Sequence, residues 1–476
     1  MVGESSRPRI VWFRRDLRVD DHPALRAGAA GPVVPVFCLD DRLLGGRSAS
    51  GPRTQFLLEC LADLDRSLGA RGAGLVVRRG PPERELVSLA REIGAGEVHF
   101  TRDATPFARE RGRRMGAACE AAGIRLVGHA GLCAVDDVAG LRTGSGTPYR
   151  MFSPFHRAWL GAPRRALVAA PVELRPVAGV AAGRVPSLGE LGLEQEVERP
   201  MGGGERAGGE RLAAFLDRGL SGYAAGGHDD LGGDATSRLS PYLRFGCVSP
   251  RTVEAKLDDG ADGEALRRQL CWRDFYVHLL HHHPETLELE LQERYRGLGW
   301  REAPEDLERW RRGRTGYPLV DAGMRQLLAE GWMHNRARLV VGSFLTKHLG
   351  IDWREGERWF MRLLLDGDPA VNTGNWQWIA SVGSDRQPVH RRLLSPTRQQ
   401  ERFDPDGDYV RRWVPELRGV PDAHLAEPWR MPESLALECG CVIGVDYPEP
   451  IVDHAQARRE ALARYGEAGA RGGPDG

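Results

Sequence analysis

Across residues 9–129 short apolar runs alternate with amphipathic stretches, and this alternation narrows the fold more than any other feature. RIVWF (9–13), VVPVFCL (33–39), LVVRR (75–79), EVHF (97–100) and IRLVGH (124–129) read as strands. Between them, 55–68, 83–93 and 107–122 carry apolar residues at three- and four-residue spacing and read as helices. Strands separated by helices pair in parallel, and a parallel sheet is covered on both faces. The expected first part, 7–134, is therefore a Rossmann-like α/β domain. Its first strand runs into RRDLRVDD instead of a G-x-G-x-x-G turn, which excludes an ordinary dinucleotide-binding domain.

The rest of the chain has a different grammar. Residues 135–200 are rich in Gly, Pro and Ala and lose periodicity, as expected of a connector laid on the surface. From 201 to 465 the spacing is helical, with caps such as Ser249 before Pro250 and turns such as Asp404-Pro405-Asp406-Gly407. The remainder, 466–476, reads as a flexible tail. A chain of 476 residues exceeds one ordinary core. The expectation is thus α/β plus all-α.

No run of 18 apolar residues and no secretory signal is visible, so a cytoplasmic protein without a membrane span is expected. Eight scattered cysteines with no C-x-x-C pair read as reduced thiols. Net charge is formally zero, but of the 66 basic residues only Lys256 and Lys347 are lysine. Arginine suits bidentate phosphate contacts, although a GC-rich coding sequence produces the same bias.

Four segments of the helical part mix polar and aromatic groups. TSRLSPYL (236–243) offers hydroxyls ahead of a helix, as a pyrophosphate cradle or as a cap with spare serines. RRQLCWRDFYVHLLHHHP (267–284) brings Gln269, Trp272 and Arg273 together, able to read a base, stack on it and hold a phosphate. Its histidines 281–283 point apart on a helix, so no metal site is expected. GWMHNRARLVVGSFL (331–345) sets Asn335 and Arg338 on one face. DGDPAVNTGNWQWIAS (366–381) packs Asp366, Asp368, Asn372, Trp376 and Trp378 into one stretch. Arg338 is the natural partner of Asp366, which leaves Asp368 free to accept a ligand N–H. Ten of the twelve tryptophans follow residue 270, as a bulky core or as working groups.

These segments, with VWFRRDLRVDDHPAL (11–25), TGYPLVDAGMRQL, IDWREGERWF and RFDPDGDYVRRWVPEL, resemble the DNA photolyase/cryptochrome family from residue 10 to about 465. The look is closest to its class I cyclobutane-dimer branch. The resemblance implies light-driven repair of ultraviolet-damaged DNA by electron transfer from a folded, reduced FAD. It places Tyr223, Thr236, Ser237, Arg238, Leu239 and Ser240 at the FAD phosphates. Arg273, Asn335, Arg338, Asp366, Gly367 and Asp368 would surround the ring and ribityl chain, with Asn372 beside flavin N5. Trp376, Trp353 and Trp300 match the family's electron-transfer chain. Trp272 and Trp378 match the indoles flanking a flipped dimer, joined by Gln269, Asn335 and Gln399. Phosphate contacts fall to the arginines between Arg386 and Arg402.

TRDATPFARERGRR (101–114) resembles the pattern for an 8-hydroxy-5-deazaflavin antenna more than that for methenyltetrahydrofolate, with Arg53 and Asp103 as contacts. Departures from the family pattern are Gln269 where glutamate is usual, AAGGHDDLGGDA after Tyr223, and RRLLSP for an Asn-Pro ending. A monomer is expected. The alternatives are a cryptochrome-type receptor without repair activity, or a (6-4) photolyase.

Overall fold

The computed structural model describes residues 7–46, 49–233, 235–385 and 387–471. Arg386, named above with the phosphate-binding stretch, and Asp234 lie outside them.

Five strands, β1 (Arg9–Phe13), β2 (Val33–Leu39), β3 (Val76–Arg79), β4 (Glu97–Thr101) and β5 (Arg125–His129), form one parallel sheet in the order β3-β2-β1-β4-β5. Successive residues of a strand point to opposite faces. Val11, Phe13, Val33, Phe37 and Val77 thus enter one core, while Ile10, Trp12, Val34, Val36 and Val76 enter another. Helices Pro82–Ile93 and Pro106–Ala121 cover the second face through Leu86, Leu89, Met115 and Cys119. The first face is shared. Helix Gly51–Gly69 lies on it, and the same cluster continues into Tyr242, Phe245, Leu270 and Phe275 of the helical part.

Strand order reverses between β1 and β4, so the loops after these strands flank a crevice at the carboxyl ends of the sheet. Here the helical part docks against the loop after β1. Leu17 N–H donates to the Phe245 carbonyl at 3.0 Å, and Arg18 Nη1 donates to Gly246 O at 2.9 Å. Gly246 ends helix Ser240–Phe245 with φ +66°, and a Cβ there would collide with the Arg15 and Asp16 backbone. Only glycine permits both the turn and the approach.

A second core is built wholly from the helical part, around helices Pro318–Glu330, Asn335–Ser343, Trp353–Leu363 and Pro369–Ile379. Ser249 caps as expected, its Oγ accepting from Arg251 N–H, and the expected turn at Asp404 is closed by Gly407 N–H on the Asp404 carbonyl at 3.0 Å, while the Asp404 carboxylate accepts from Tyr409 and Val410 N–H. Two expectations need correction. The segment 135–200 contains helix Phe152–Gly161, whose Phe152, Phe155 and Trp159 are buried against helix Ala261–His282. Helix His454–Arg471 also runs through the first part of the segment expected to be a flexible tail.

Several histidines are buried neutral. Burial lowers the His278 and His334 imidazoles to about 4 and the His348 imidazole to about 3, from 6.5. Between these values the unfolded chain binds protons that the folded chain refuses, so stability falls as pH falls through that window. The loss amounts to as much as about 1.4 kcal/mol per pH unit for each such histidine. The urea midpoint at about pH 5 should lie well below that at about pH 7, and equal midpoints would contradict this.

Candidate functional site

The site is a half-open cavity of about 460 Å³ inside the helical part. This falls within the range of cofactor pockets. One end carries Tyr223, Thr236, Ser237, Arg238, Leu239 and Ser240. Arg238 adopts φ +48°, with its guanidinium 4.5 Å over the Trp332 ring and 3.4 Å from Glu330. Arg211 anchors the segment by donating to the carbonyls of Thr236 and Ser237 at 2.9 Å each. Trp332 Nε1 donates to Ser240 Oγ at 3.3 Å. The hydroxyl segment is thus shaped from outside, by residues the sequence did not single out.

The centre is polar. Arg338 grips Asp366 bidentately at 3.1 and 2.8 Å, as expected. Asn372 is buried, and its Nδ2 donates to both the Glu357 carbonyl and carboxylate at 3.0 Å. Both partners are acceptors, so the amide orientation is fixed by chemistry, and Oδ1 is left as an acceptor on the cavity wall.

Asp368 corrects the sequence reading. It is not free. Oδ1 accepts from the N–H groups of Ala370 and Val371, while Oδ2 pairs with Arg15 and lies 3.8 Å from Arg244. Burial would raise this carboxyl, but Arg15, Arg244 and Arg273 outweigh it and hold it well below the usual carboxylate range. Arg15 also pairs with Asp103 at 2.8 Å. It belongs to the loop after β1 and Asp103 to the loop after β4, so one guanidinium ties both sides of the sheet crevice to the cavity floor. Arg53 sits at the same seam, donating to the carbonyls of Met361 and Leu364.

The mouth is lined by Gln269, Asn335, Trp272 and Trp378, with Arg273 behind. Both indoles are half-buried, and each is backed by a flat group. Phe152 stacks on Trp272 at 3.5 Å and 4°. The Arg392 guanidinium lies 3.4 Å over Trp378, donates to its carbonyl at 2.6 Å and pairs with Asp385. Gln399 stands outside the lining but meets the rim, accepting from Arg336 Nη1 at 3.5 Å. Arg336 in turn pairs with Asp229.

Trp376 lines the cavity at 3 % exposure, whereas Trp353 lies behind it at 0 %. The Trp376 ring packs on Gly356, one turn after Trp353, where a Cβ would run into it. Trp300 is partly buried against the same core, and its neighbour Arg301 bonds Gly350 O at 2.8 Å and Leu349 O at 2.9 Å. All three indoles belong to one core, with Trp353 and Trp376 buried and Trp300 half-buried. Trp310, not foreseen, packs edge-on to Trp376 at 6.2 Å.

An α/β layer carrying a helical body with a half-open cavity, polar at its centre and with two backed indoles at its mouth, defines a cofactor-sized site that admits a flat ligand. Comparison with known proteins agrees. Residues 9–174 match the DNA photolyase family model, and residues 266–467 match the FAD binding domain of DNA photolyase. A deoxyribodipyrimidine photo-lyase of Streptomyces griseus is 42% identical over 94% of this chain and 97% of its own. A cryptochrome DASH of Gloeobacter violaceus is 36% identical over 98% and 97%. The crystal structure of a bacterial class III photolyase from Agrobacterium tumefaciens superposes with a TM-score of 0.90 at 36% identity, covering 98% of this chain and 99% of that one. The chain belongs to the DNA photolyase/cryptochrome family.

Replacing Arg15 with Met would remove the buried cation that Asp103 and Asp368 share. A loss of about 3–5 kcal/mol is expected on denaturant unfolding, and a loss below about 1 kcal/mol would show that the bridge is dispensable.

Proposed function

We propose that the protein repairs cyclobutane pyrimidine dimers in ultraviolet-damaged DNA with FAD held in the cavity. The observation that carries this reading is Asn372, whose amide hydrogens are both committed to Glu357 and whose Oδ1 remains an acceptor. An acceptor at this position favours a protonated flavin N5, the form a reduced flavin presents. The lining fits the group: hydroxyls and Arg238 for the pyrophosphate and Arg338–Asp366 for the ring and ribityl side, with Asp368 fixing the helix that presents Asn372. When bound and reduced, FAD supplies the light-driven electron that opens the cyclobutane ring.

The chain's own residues do the rest. Trp272 and Trp378, stiffened by Phe152 and Arg392, would clamp the flipped bases, and a damaged pair is cheap to unstack. Gln269, exposed at the mouth, can donate to a pyrimidine carbonyl and accept from N3–H. Exposed Arg391, Arg398 and Arg402 flank the opening for phosphates, with Gln399 beside them. Trp376, Trp353 and Trp300 would refill an oxidised flavin from the surface.

The cyclobutane lesion is favoured over the (6-4) product because Asn335 and Leu339 line the mouth without a proton donor. His334, next in sequence, is turned inward: its Nδ1 caps the helix by accepting from Arg336 N–H, and burial keeps it neutral. An antenna chromophore, of deazaflavin type, would sit at the seam near Asp103 and Arg53. Among the described residues no helix is long and apolar enough to cross a membrane. A cytoplasmic monomer is the simplest setting.

With reduced protein and one lamp, an oligonucleotide carrying a cyclobutane dimer should be repaired and one carrying a (6-4) product should not. Gln269→Glu should repair dimers equally or several-fold better, since a charge-assisted bond exceeds a neutral one by about 1 kcal/mol. Repair of only the (6-4) lesion would overturn the substrate, and repair of neither would favour a receptor. Separately, Trp376→Phe should abolish light-driven reduction of oxidised flavin while sparing repair by chemically reduced protein. Unchanged photoreduction would make this indole mere packing.

A further inference from the structure

The middle indole of the file has an unusual neighbour. Trp353 is fully buried, and its Nε1–H donates to the carboxylate of Glu290 at 3.1 Å. Glu290 is itself only 2 % exposed. Its Oε1 receives both this bond and the Arg354 guanidinium at 2.9 Å. Its Oε2 is buried with no hydrogen-bond partner among the described residues. The hydroxyl of Tyr465, within electrostatic reach of Glu290, donates instead to the Ala380 carbonyl at 2.6 Å.

An ionised carboxylate offers about four acceptor sites, and half of this one meets nothing. Its unpartnered oxygen leaves acceptor capacity open beside the indole. The resting indole cannot satisfy it, because its N–H is a donor of negligible acidity. An oxidised indole can, since loss of an electron makes that same N–H strongly acidic. Arg354 restrains the transfer at rest: it pairs with Glu290, and its guanidinium sits 4.6 Å over the Trp353 ring. The same cation makes a radical cation on that ring costly, and shedding the proton relieves the repulsion.

We propose that Glu290 is the proton acceptor for Trp353 during light-driven flavin reduction, making the middle indole a proton-coupled stop for the hole. The proposal rests on the reading of Trp376, Trp353 and Trp300 as the refilling chain. The oxidant is light-excited oxidised flavin acting through Trp376. One electron leaves Trp353 for the oxidised Trp376. The Trp353 Nε1–H bond then breaks and the proton joins the Glu290 carboxylate. The products are a neutral indolyl radical and a neutral carboxylic acid, and the newly formed O–H points back at the indole nitrogen. When an electron from Trp300, and behind it an external thiol, reduces the radical, the proton returns. Charge recombination with the flavin is slowed because the electron must now recover a proton as well. The Trp353 contact makes Glu290 part of the reacting pair, beyond its evident role in steadying the first turn of helix Trp353–Leu363.

The test uses FAD-loaded protein carrying Trp300→Phe, which halts the hole at Trp353. Transient absorption after a flash distinguishes an indole radical cation from the neutral radical. The Trp300→Phe protein should show the neutral radical, formed more slowly in heavy water than in light water. Adding Glu290→Gln, near-isosteric and unable to take the proton, should leave the radical cation. Its return to the flavin should quicken by about tenfold or more, with the isotope effect lost. The isotope effect in Trp300→Phe needs no Glu290 variant and decides the matter even if that variant folds poorly. A radical cation at Trp353 with no isotope effect, or identical spectra with and without Glu290, overturns the proposal alone. If no radical forms at Trp353 and Trp353→Phe leaves flavin photoreduction intact, the refilling chain itself is wrong, and the proposal falls with it.

Discussion

The floor of the cavity hangs on Arg15. Its guanidinium is buried between Asp103 at the sheet crevice and Asp368 at the cavity floor. Neither acid could be buried ionised alone, because an isolated charge in such a place costs several kcal/mol. Arg15 and Asp103 both belong to the sheet layer and reach Asp368 only when the helical body is docked, so the docking geometry and the cavity floor form together. Asp368 then caps helix Pro369–Ile379, which presents Asn372, Trp376 and Trp378. One ion-pair chain thereby sets the orientation of the helix that carries most of the candidate chemistry.

The remaining walls follow the same logic of outside control. Glu357 fixes which atom Asn372 shows to the cavity, Arg211 holds the hydroxyl segment, and Arg392 and Phe152 hold the indoles. These supports are charged or aromatic groups with few free donors, so each leaves one defined face for a ligand. A cavity built this way holds its shape before binding, which is what a tightly bound cofactor and a rapid photochemical step both require.

Much of this was legible in the residues. All five strands fall within a residue or so of where the apolar runs placed them, because a doubly covered parallel strand must be apolar throughout. The segments around Asn335, Asp366 and Trp272 converge on one cavity as their mixed polar and aromatic character suggested. What failed was long-range. Asp368 looked free because Arg15, its partner, lies 353 positions away, and no spacing rule reaches that far. Helix Phe152–Gly161 was readable: Phe152, Phe155 and Trp159 lie at helical intervals, but the surrounding Gly and Pro masked them. Glu290 carries no local signal at all. Only the fold brings it to Trp353, 63 positions on.

The central claim is that this preformed cavity holds FAD with Asn372 Oδ1 as the acceptor at the ring. The most direct measurement is the visible absorption and released-flavin content of the purified protein, parent against Asn372→Ala. The account predicts about one non-covalent FAD per chain in both. It further predicts that the reduced flavin reoxidises in air markedly faster in Asn372→Ala. Colourless protein that stays without flavin after FAD is supplied, or identical reoxidation in the two proteins, would contradict it.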